Sequence, residues 1–454
     1  MCDIERRRAR RAFKMSRVAA GLGSLALTAF FSATPPLRAQ ALPAAPMRLG
    51  DLYAQVQRAN PKIVAARSLV QAAQARVSGA QRPPDPVLQL GFMNYSLPSL
   101  APMPTIGMSQ LQLTQMLPLG GKLALAGRIA GSRASATGAR AEDVSWELHT
   151  QTASAFYDLY AAERGFEVKR ETLHVLDDIE KTAESMYRVG EGRQADVLHA
   201  QVEIAKMVED TIRMNAAREA IVARLNSLLD RDGPPQPTGI VLPRMPDSIP
   251  TRAWLDSIAL SERPMVRAGV DDLIAAESSE RLARRDVLPD LQIGVQYGQR
   301  SGGVGTDRMG SLMVGASIPV FARDRQLKAR DEAAAMRQMA LSDLAAMRAE
   351  TRGRIAEAHA NLTAARNLSR LYRTTVLPQS EAAAAAALGA YRVGGVDFIT
   401  LLDDRMTVNK YRQELYQLEA DEGKAWADLE MLVGRALFDP NQVSVVNAAA
   451  RGER

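Results

Sequence analysis

Apolar and polar side chains alternate with period two in four short stretches of the chain. Leu88, Leu90 and Phe92 alternate with Gln89 and Gly91, and Leu111 and Leu113 alternate with Gln110, Gln112 and Thr114. Much later, Leu291, Ile293, Val295 and Tyr297 alternate with Gln292, Gly294, Gln296 and Gly298. Leu312, Val314, Ala316 and Ile318 alternate with Ser311, Met313, Gly315 and Ser317. The pattern predicts four strands of ~8–11 residues, each with one apolar face and one small or polar, uncharged face. Each strand pair is preceded by a segment with helical apolar spacing, at roughly residues 50–81 and 252–286, which predicts one helix apiece. Each pair is followed by a long stretch rich in Ala, Glu, Arg, Gln and Leu, all good helix formers. No proline occurs between Leu119 and Gly233, and Pro378 is the only one between Val320 and Asp439.

The order helix, strand pair, long helical stretch therefore occurs twice, and short matches hold it in register. Asn60-Pro61 recurs as Arg263-Pro264, and Asp85–Gly91 as Leu288–Gly294, at an offset of 203. Tyr187-Arg188-Val189-Gly190 recurs unchanged as Tyr391-Arg392-Val393-Gly394, and Leu225–Arg231 as Leu429–Arg435, at an offset of 204. A nearly constant offset over so long a span indicates duplication. Glycine ends helices and reverses the chain, so each long stretch divides into two antiparallel helices joined at Gly190–Gln194 and at Gly394–Asp397. Each helix is expected to run ~45–65 residues, or roughly 70–100 Å. The resulting partition is a first repeat at 42–232, a Pro/Gly-rich linker at 233–250, a second repeat at 251–436 and a tail at 437–454.

Charge changes the picture at one end only. The chain of 454 residues is formally +6, which invites a nucleic-acid partner. Residues 1–41 hold eight cations and two anions, and the rest carries 49 charges of each sign. The excess thus belongs to an N-terminal segment that reads as an export signal. Cations end at Arg17, the apolar run Val18–Phe31 follows, and a small-x-small site stands at Ala39-Gln40-Ala41. The run falls short of the ~20 residues a spanning helix needs, which disfavours an anchor. Arg10-Arg11 resembles a twin-arginine signal but is read as a product of an Arg-rich stretch. Cys2, the only cysteine, lies inside this segment, so the mature chain is expected to hold no disulfide, thiolate nucleophile or lipid-modified cysteine.

Four strands leave two open sheet edges, and in lipid every backbone donor and acceptor needs a partner. The smallest single-chain transmembrane barrels have ~8 strands, so four can span a membrane only if several chains share one barrel. A trimer supplies twelve. A soluble antiparallel sheet with one buried face fits the same alternation.

The ordered set of duplication, Asn60-Pro61, strand starts at Pro86 and Pro289, strand ends at Pro118 and Pro319, Val376-Leu377-Pro378-Gln379 and the two YRVG segments resembles the TolC-type outer-membrane factor family. Ser109-Gln110 and Pro118–Lys122 look like its heavy-metal efflux branch. The resemblance implies a mainly α chain with a small β part, an internal duplication, and a homotrimer. Its twelve-stranded β-barrel would sit in the outer membrane above a long α-helical barrel in the periplasm. It implies a passive exit duct of a tripartite pump, with a periplasmic membrane-fusion adaptor and an inner-membrane transporter of RND or ABC type as partners. It further implies that Tyr187, Arg188, Val189, Gly190, Tyr391, Arg392, Val393 and Gly394 form the periplasmic tip that meets the adaptor. The plainer reading of these tetrapeptides is a helix stop. Asp196, Asp403 and Asp404 follow the turns and could ring a narrow end as a tunnel constriction. Thr400 stands where the family often has a first acidic residue, and solvated helix faces explain such carboxylates equally well.

No catalytic constellation is present. His149, His174, His199 and His359 are not paired at metal spacing. No Walker loop or GxSxG occurs, and Ser301–Gly305 reads as a hairpin loop. Neither an enzyme nor a cofactor, metal or nucleic-acid site is expected. Met93, Met103, Met108 and Met116 cluster at the first hairpin; thioethers bind soft cations, yet Met is first of all apolar filler. Two alternatives stay open: the exit duct of a type I protein-secretion system, and a soluble periplasmic coiled-coil adaptor.

Overall fold

The computed structural model describes residues 46–99, 101–103, 106–232, 239–302 and 305–442. The expected export signal, the linker residues 233–238, the hairpin residues 303–304 and the tail from 443 onward lie outside the described residues. The elements run β1 (Met47–Arg48), α1 (Leu49–Ala59), α2 (Pro61–Ala80), β2 (Val87–Met93), β3 (Tyr95–Ser96), β4 (Ala101–Pro102), β5 (Met108–Leu117), α3 (Lys122–Arg188) and α4 (Gln194–Leu229). The second half follows the same order: β6 (Ile240–Val241), α5 (Arg252–Glu262), α6 (Pro264–Arg285), β7 (Leu291–Gly302), β8 (Gly305–Ala316), α7 (Gln326–Leu371), α8 (Leu377–Arg392) and α9 (Phe398–Val433). A five-residue π-helical segment, Tyr372–Val376, joins α7 to α8.

Each segment expected to form one leading helix forms two. Proline lacks an N–H and drives the residue before it out of the helical region. Asn60 accordingly sits at φ −66°, ψ 123° and Arg263 at φ −56°, ψ 122°. Pro61 and Pro264 then begin α2 and α6, where the missing N–H costs nothing. The break is fixed by side chains. Asn60 Oδ1 accepts from Lys62 N at 2.9 Å, and its Nδ2 donates to Leu228 O at 2.9 Å, satisfying a carbonyl at the end of α4. In the second repeat Arg263 instead donates to Thr351 Oγ1 at 2.6 Å.

The long helical pairs are more unequal than the ~45–65 residues per helix expected from the sequence. α3 has 67 residues and α4 has 36. α7, the π segment and α8 run on without a break opposite a 36-residue α9. The N-terminal half of α3 packs against α2 and α6, with Arg140 paired to Asp272 and Arg267 to Glu142. Its C-terminal half packs against α4 and α9, with Lys169 paired to Asp210 and Tyr160 bonded to Glu419. Pro378 explains the π segment. Its ring cannot donate to residue 374, and an extra residue in the ladder, with Leu377 N bonded to Tyr372 O, carries the helix past it.

Two cores lie where the short and long helices of each repeat meet. Leu49, Leu52 and Val56 of α1 pack on Phe156, Leu159 and Leu225. Leu255 and Ala259 of α5 pack on Ile355, Leu362 and Trp426. A third core, around Leu176, Ala200, Tyr391, Phe398 and Leu401, joins both repeats beside the helical turns.

Candidate functional site

The four main strands form one antiparallel sheet in the order β2-β5-β7-β8. Its register puts Leu88, Leu113, Val295 and Leu312 in one row, and Leu90, Leu111 and Tyr297 in the next row on the same face. Ile293 and Val314 stand opposite each other on that face. All these side chains are exposed, Leu90 and Leu312 at 72 % each, and no charge interrupts the rows. The other face carries the row Gln89, Gln112, Gln296 and Ser311, and Gln296 donates to the Gln110 amide oxygen. Strands β2 and β8 are the edges, each with one side unpaired among the described residues. The sheet thus combines a bare apolar face, a polar face and two open edges.

The methionines do not gather into one site. Met93 and Met108 face each other across β2 and β5, Met116 lies opposite Gln292, and Met103 lies outside the four-stranded sheet. Among the described residues no group of three or more His, Cys, Asp or Glu could hold a metal ion. No helix among them is long and apolar enough to cross a membrane, which says nothing of a barrel.

The sheet is tied to the helices by a buried cation. Lys122, at the start of α3, donates to Asp290 Oδ1 at 2.8 Å and to Leu288 O at 2.9 Å, joining the first repeat to the second. Sequence spacing does not pair these residues, because they are 168 positions apart and each belongs to a different repeat.

At the opposite end of the long helices, both YRVG segments form the expected turns. Gly190 sits at φ 80° and Gly394 at φ 72°, a conformation that disfavours side chains. Gly190 N bonds Tyr187 O at 3.1 Å, and Gly394 N bonds Tyr391 O at 3.0 Å. The surroundings differ. Tyr391 is 4 % exposed and meets Phe398 edge to face, with ring centroids 5.6 Å apart. Tyr187 is 46 % exposed. Arg188 pairs with Glu184 one turn back, whereas Arg392 makes no ion pair among the described residues. Val189 and Val393 are exposed at the extreme of each turn.

Of the three acidic candidates, Asp196 acts electrostatically across the repeats, on Tyr391. Burial, and then the Asp196 carboxylate, push the Tyr391 hydroxyl above its ordinary range. Asp403 is exposed and Asp404 half-buried on consecutive positions of α9, so they point to different sides of the helix.

A carboxyl that the sequence did not flag lies at the far end of α9. Glu430 Oε1 accepts from Leu437 N at 2.7 Å and Phe438 N at 3.3 Å, and pins the chain that leaves α9. Burial pushes its carboxyl up to about 7, against the pull of those two donors.

Comparison with known proteins fits this architecture. No curated protein matches the chain by sequence. Among solved structures, CusC, described for the conformational changes that accompany folding and transmembrane channel formation, superposes with TM-score 0.74 at 17 % identity, over 86 % of this chain and 92 % of that one. The outer membrane protein VceC of Vibrio cholerae superposes with TM-score 0.74 at 17 % identity, over 86 % and 96 %. The Campylobacter jejuni CmeC outer membrane channel gives TM-score 0.72 at 15 % identity, over 88 % of each. At these identities the likeness is one of fold. The sequence profile of outer membrane efflux proteins matches residues 52–231 and again 255–435, once for each copy of the duplicated unit. With the same helix, strand-pair and helix-pair order in both matched segments, the chain belongs to the outer membrane efflux protein family.

Proposed function

We propose that three copies of this chain form the passive exit duct of a tripartite efflux pump. The observation that carries the proposal is the sheet: an apolar face left bare, its Leu88–Leu312 and Leu90–Tyr297 rows uncharged, with both edge strands open. Three such sheets joined edge to edge satisfy the open edges and give a closed barrel of twelve strands, with apolar rows toward lipid and the Gln-rich face toward the lumen. A soluble adaptor would have to cover the apolar face in another way. Residues 1–41 serve as the export signal, and residues 42–232 and 251–436 are the two repeats of each protomer. Energy and chemistry come from an inner-membrane transporter; the duct itself catalyses nothing.

The two turns form the periplasmic tip. Tyr187, Arg188, Val189 and Gly190, with Tyr391, Arg392, Val393 and Gly394, present exposed Val and Arg side chains to the adaptor. Asp196, Asp403 and Asp404 line the approach to the narrow end, where three-fold repetition multiplies their charge. The test is fractionation and cross-linking. The expected result is a cross-linked trimer in the outer-membrane fraction and a conducting pore in planar bilayers. A monomer that stays soluble without detergent refutes the proposal.

A further inference from the structure

The two repeats part company where the sheet hands over to the long helices. In the first repeat the chain passes from Pro118 through two glycines at φ 74° straight into α3, and Lys122 is buried against Asp290. In the second repeat Pro319 opens an extra compact turn, with Val320 N bonded to Ile318 O, Ala322 N to Pro319 O and Arg325 N to Phe321 O, before α7 begins at Gln326. This turn holds up three bare apolar side chains: Ile318, Val320 and Phe321 are each more than three-quarters exposed. Ile318 keeps the parity of Leu312 and Val314, so it extends the apolar face of the sheet past the end of β8.

Cations follow immediately. Arg323, Arg325 and Lys328 are exposed and make no ion pair among the described residues, whereas Arg330 pairs with Asp331. Asp324 lies between the two arginines and leaves the stretch from 323 to 328 with net positive charge. An apolar band that ends in free cations on its helix side matches the order of a bilayer leaflet from acyl chain to anionic headgroup.

We propose that Ile318, Val320, Phe321, Arg323, Arg325 and Lys328 form a lipid anchor that binds anionic phospholipid headgroups in the periplasmic leaflet of the outer membrane. The proposal rests on the reading that the apolar sheet face meets lipid. The anchor occurs once per protomer, because the first repeat passes into α3 without the Ile318–Phe321 type of turn, and its Lys122 is spent on holding the repeats together. A bound lipid would fix the height of the barrel in the bilayer at the point where the rigid helices begin.

The test uses the full chain and the Arg323→Gln/Arg325→Gln/Lys328→Gln variant, purified in neutral detergent. Each is offered phosphatidylcholine vesicles and mixed phosphatidylcholine–phosphatidylglycerol vesicles, at low and high salt. The expected result is that the unaltered protein enters both and prefers the mixed vesicles at low salt. The variant enters phosphatidylcholine equally well but loses about tenfold to a hundredfold of that preference. Native mass spectrometry should show phosphatidylglycerol retained by the unaltered protein alone. Equal uptake of both vesicles by the unaltered protein, or a preference unchanged in the variant, overturns the anchor. Loss of the cross-linked trimer in lipid-free detergent on the triple substitution also overturns it, because the patch would then belong to the contact between copies. Failure to enter either vesicle instead overturns the membrane-facing sheet itself.

Discussion

The two helical turns share the tetrapeptide Tyr-Arg-Val-Gly and the same backbone, yet only one of them holds its tyrosine. The difference lies seven residues further on. Phe398 begins α9 and closes over Tyr391, whereas the matching position in the first repeat is Gln194, and Tyr187 stays in solvent. Identical sequence thus gives one turn anchored in a core and one left free to meet another surface. The repeats diverge in the same manner at the other end of these helices, where Glu430 of the second matches Asn226 of the first. In each case the second repeat draws a group into the interior.

The sharpest way to break the comparison is Tyr391→Ala. Removal of a buried aromatic from the core beside the turns should cost ~3 kcal/mol of local stability. Rapid protease cleavage or hydrogen exchange near 391–398 would report it. Tyr187→Ala should stay within ~0.5 kcal/mol, as expected for a surface position. Tyr391→Phe should be close to neutral, since the buried hydroxyl has no hydrogen-bond partner among the described residues.

The second contrast is read by pH. Burial raises the Glu430 carboxyl to about 7, so folding favours its protonated form. Its contribution is fully present below the ordinary carboxylate range and is lost as pH rises through about 7. Denaturation midpoints should therefore fall by the equivalent of ~2–3 kcal/mol between pH 4 and pH 8. Glu430→Gln should flatten that part of the profile, and Asn226→Ala should leave it unchanged.

Smaller effects sharpen what the turns share. At Gly190 and Gly394 an added Cβ meets no atom of the described residues within 4 Å apart from its chain neighbours, so Gly190→Ala and Gly394→Ala should cost only the strain of positive φ, ~1–2 kcal/mol each and alike in the two repeats. A larger loss at one turn would mean that the backbones differ after all. Smallest of all, Arg188→Ala removes an exposed pair with Glu184 and should change stability by under ~0.5 kcal/mol in a thermal melt. On the functional proposal, Arg188→Asp and Arg392→Asp should weaken adaptor capture without affecting the trimer.

Much of the fold was legible in the sequence because its signals are local. The period-two rows of Leu88–Phe92 and Leu291–Tyr297 became strands of one sheet, and glycine punctuation placed both helical turns. The strong helix-forming composition around Asn60 and Arg263 masks the breaks there, and the prolines that follow are their local signal. Both Tyr-Arg-Val-Gly segments turn the chain where the sequence places a helix stop, but their opposite environments were not visible in a repeated tetrapeptide. Lys122 and Asp290, and the buried Glu430, were missed because their partners lie in another repeat or beyond the helix end.

By itself the sequence determined what periodicity and covalent order can determine: two copies of one unit, the strand faces, the places where helices must stop, and family membership. Tertiary structure alone decided which copy's tyrosine is enclosed, which lysine is buried and which cations stay free. Element type follows from residues a few positions apart, whereas burial follows from what another part of the chain sets against them. Two copies of one tetrapeptide share the first and need not share the second.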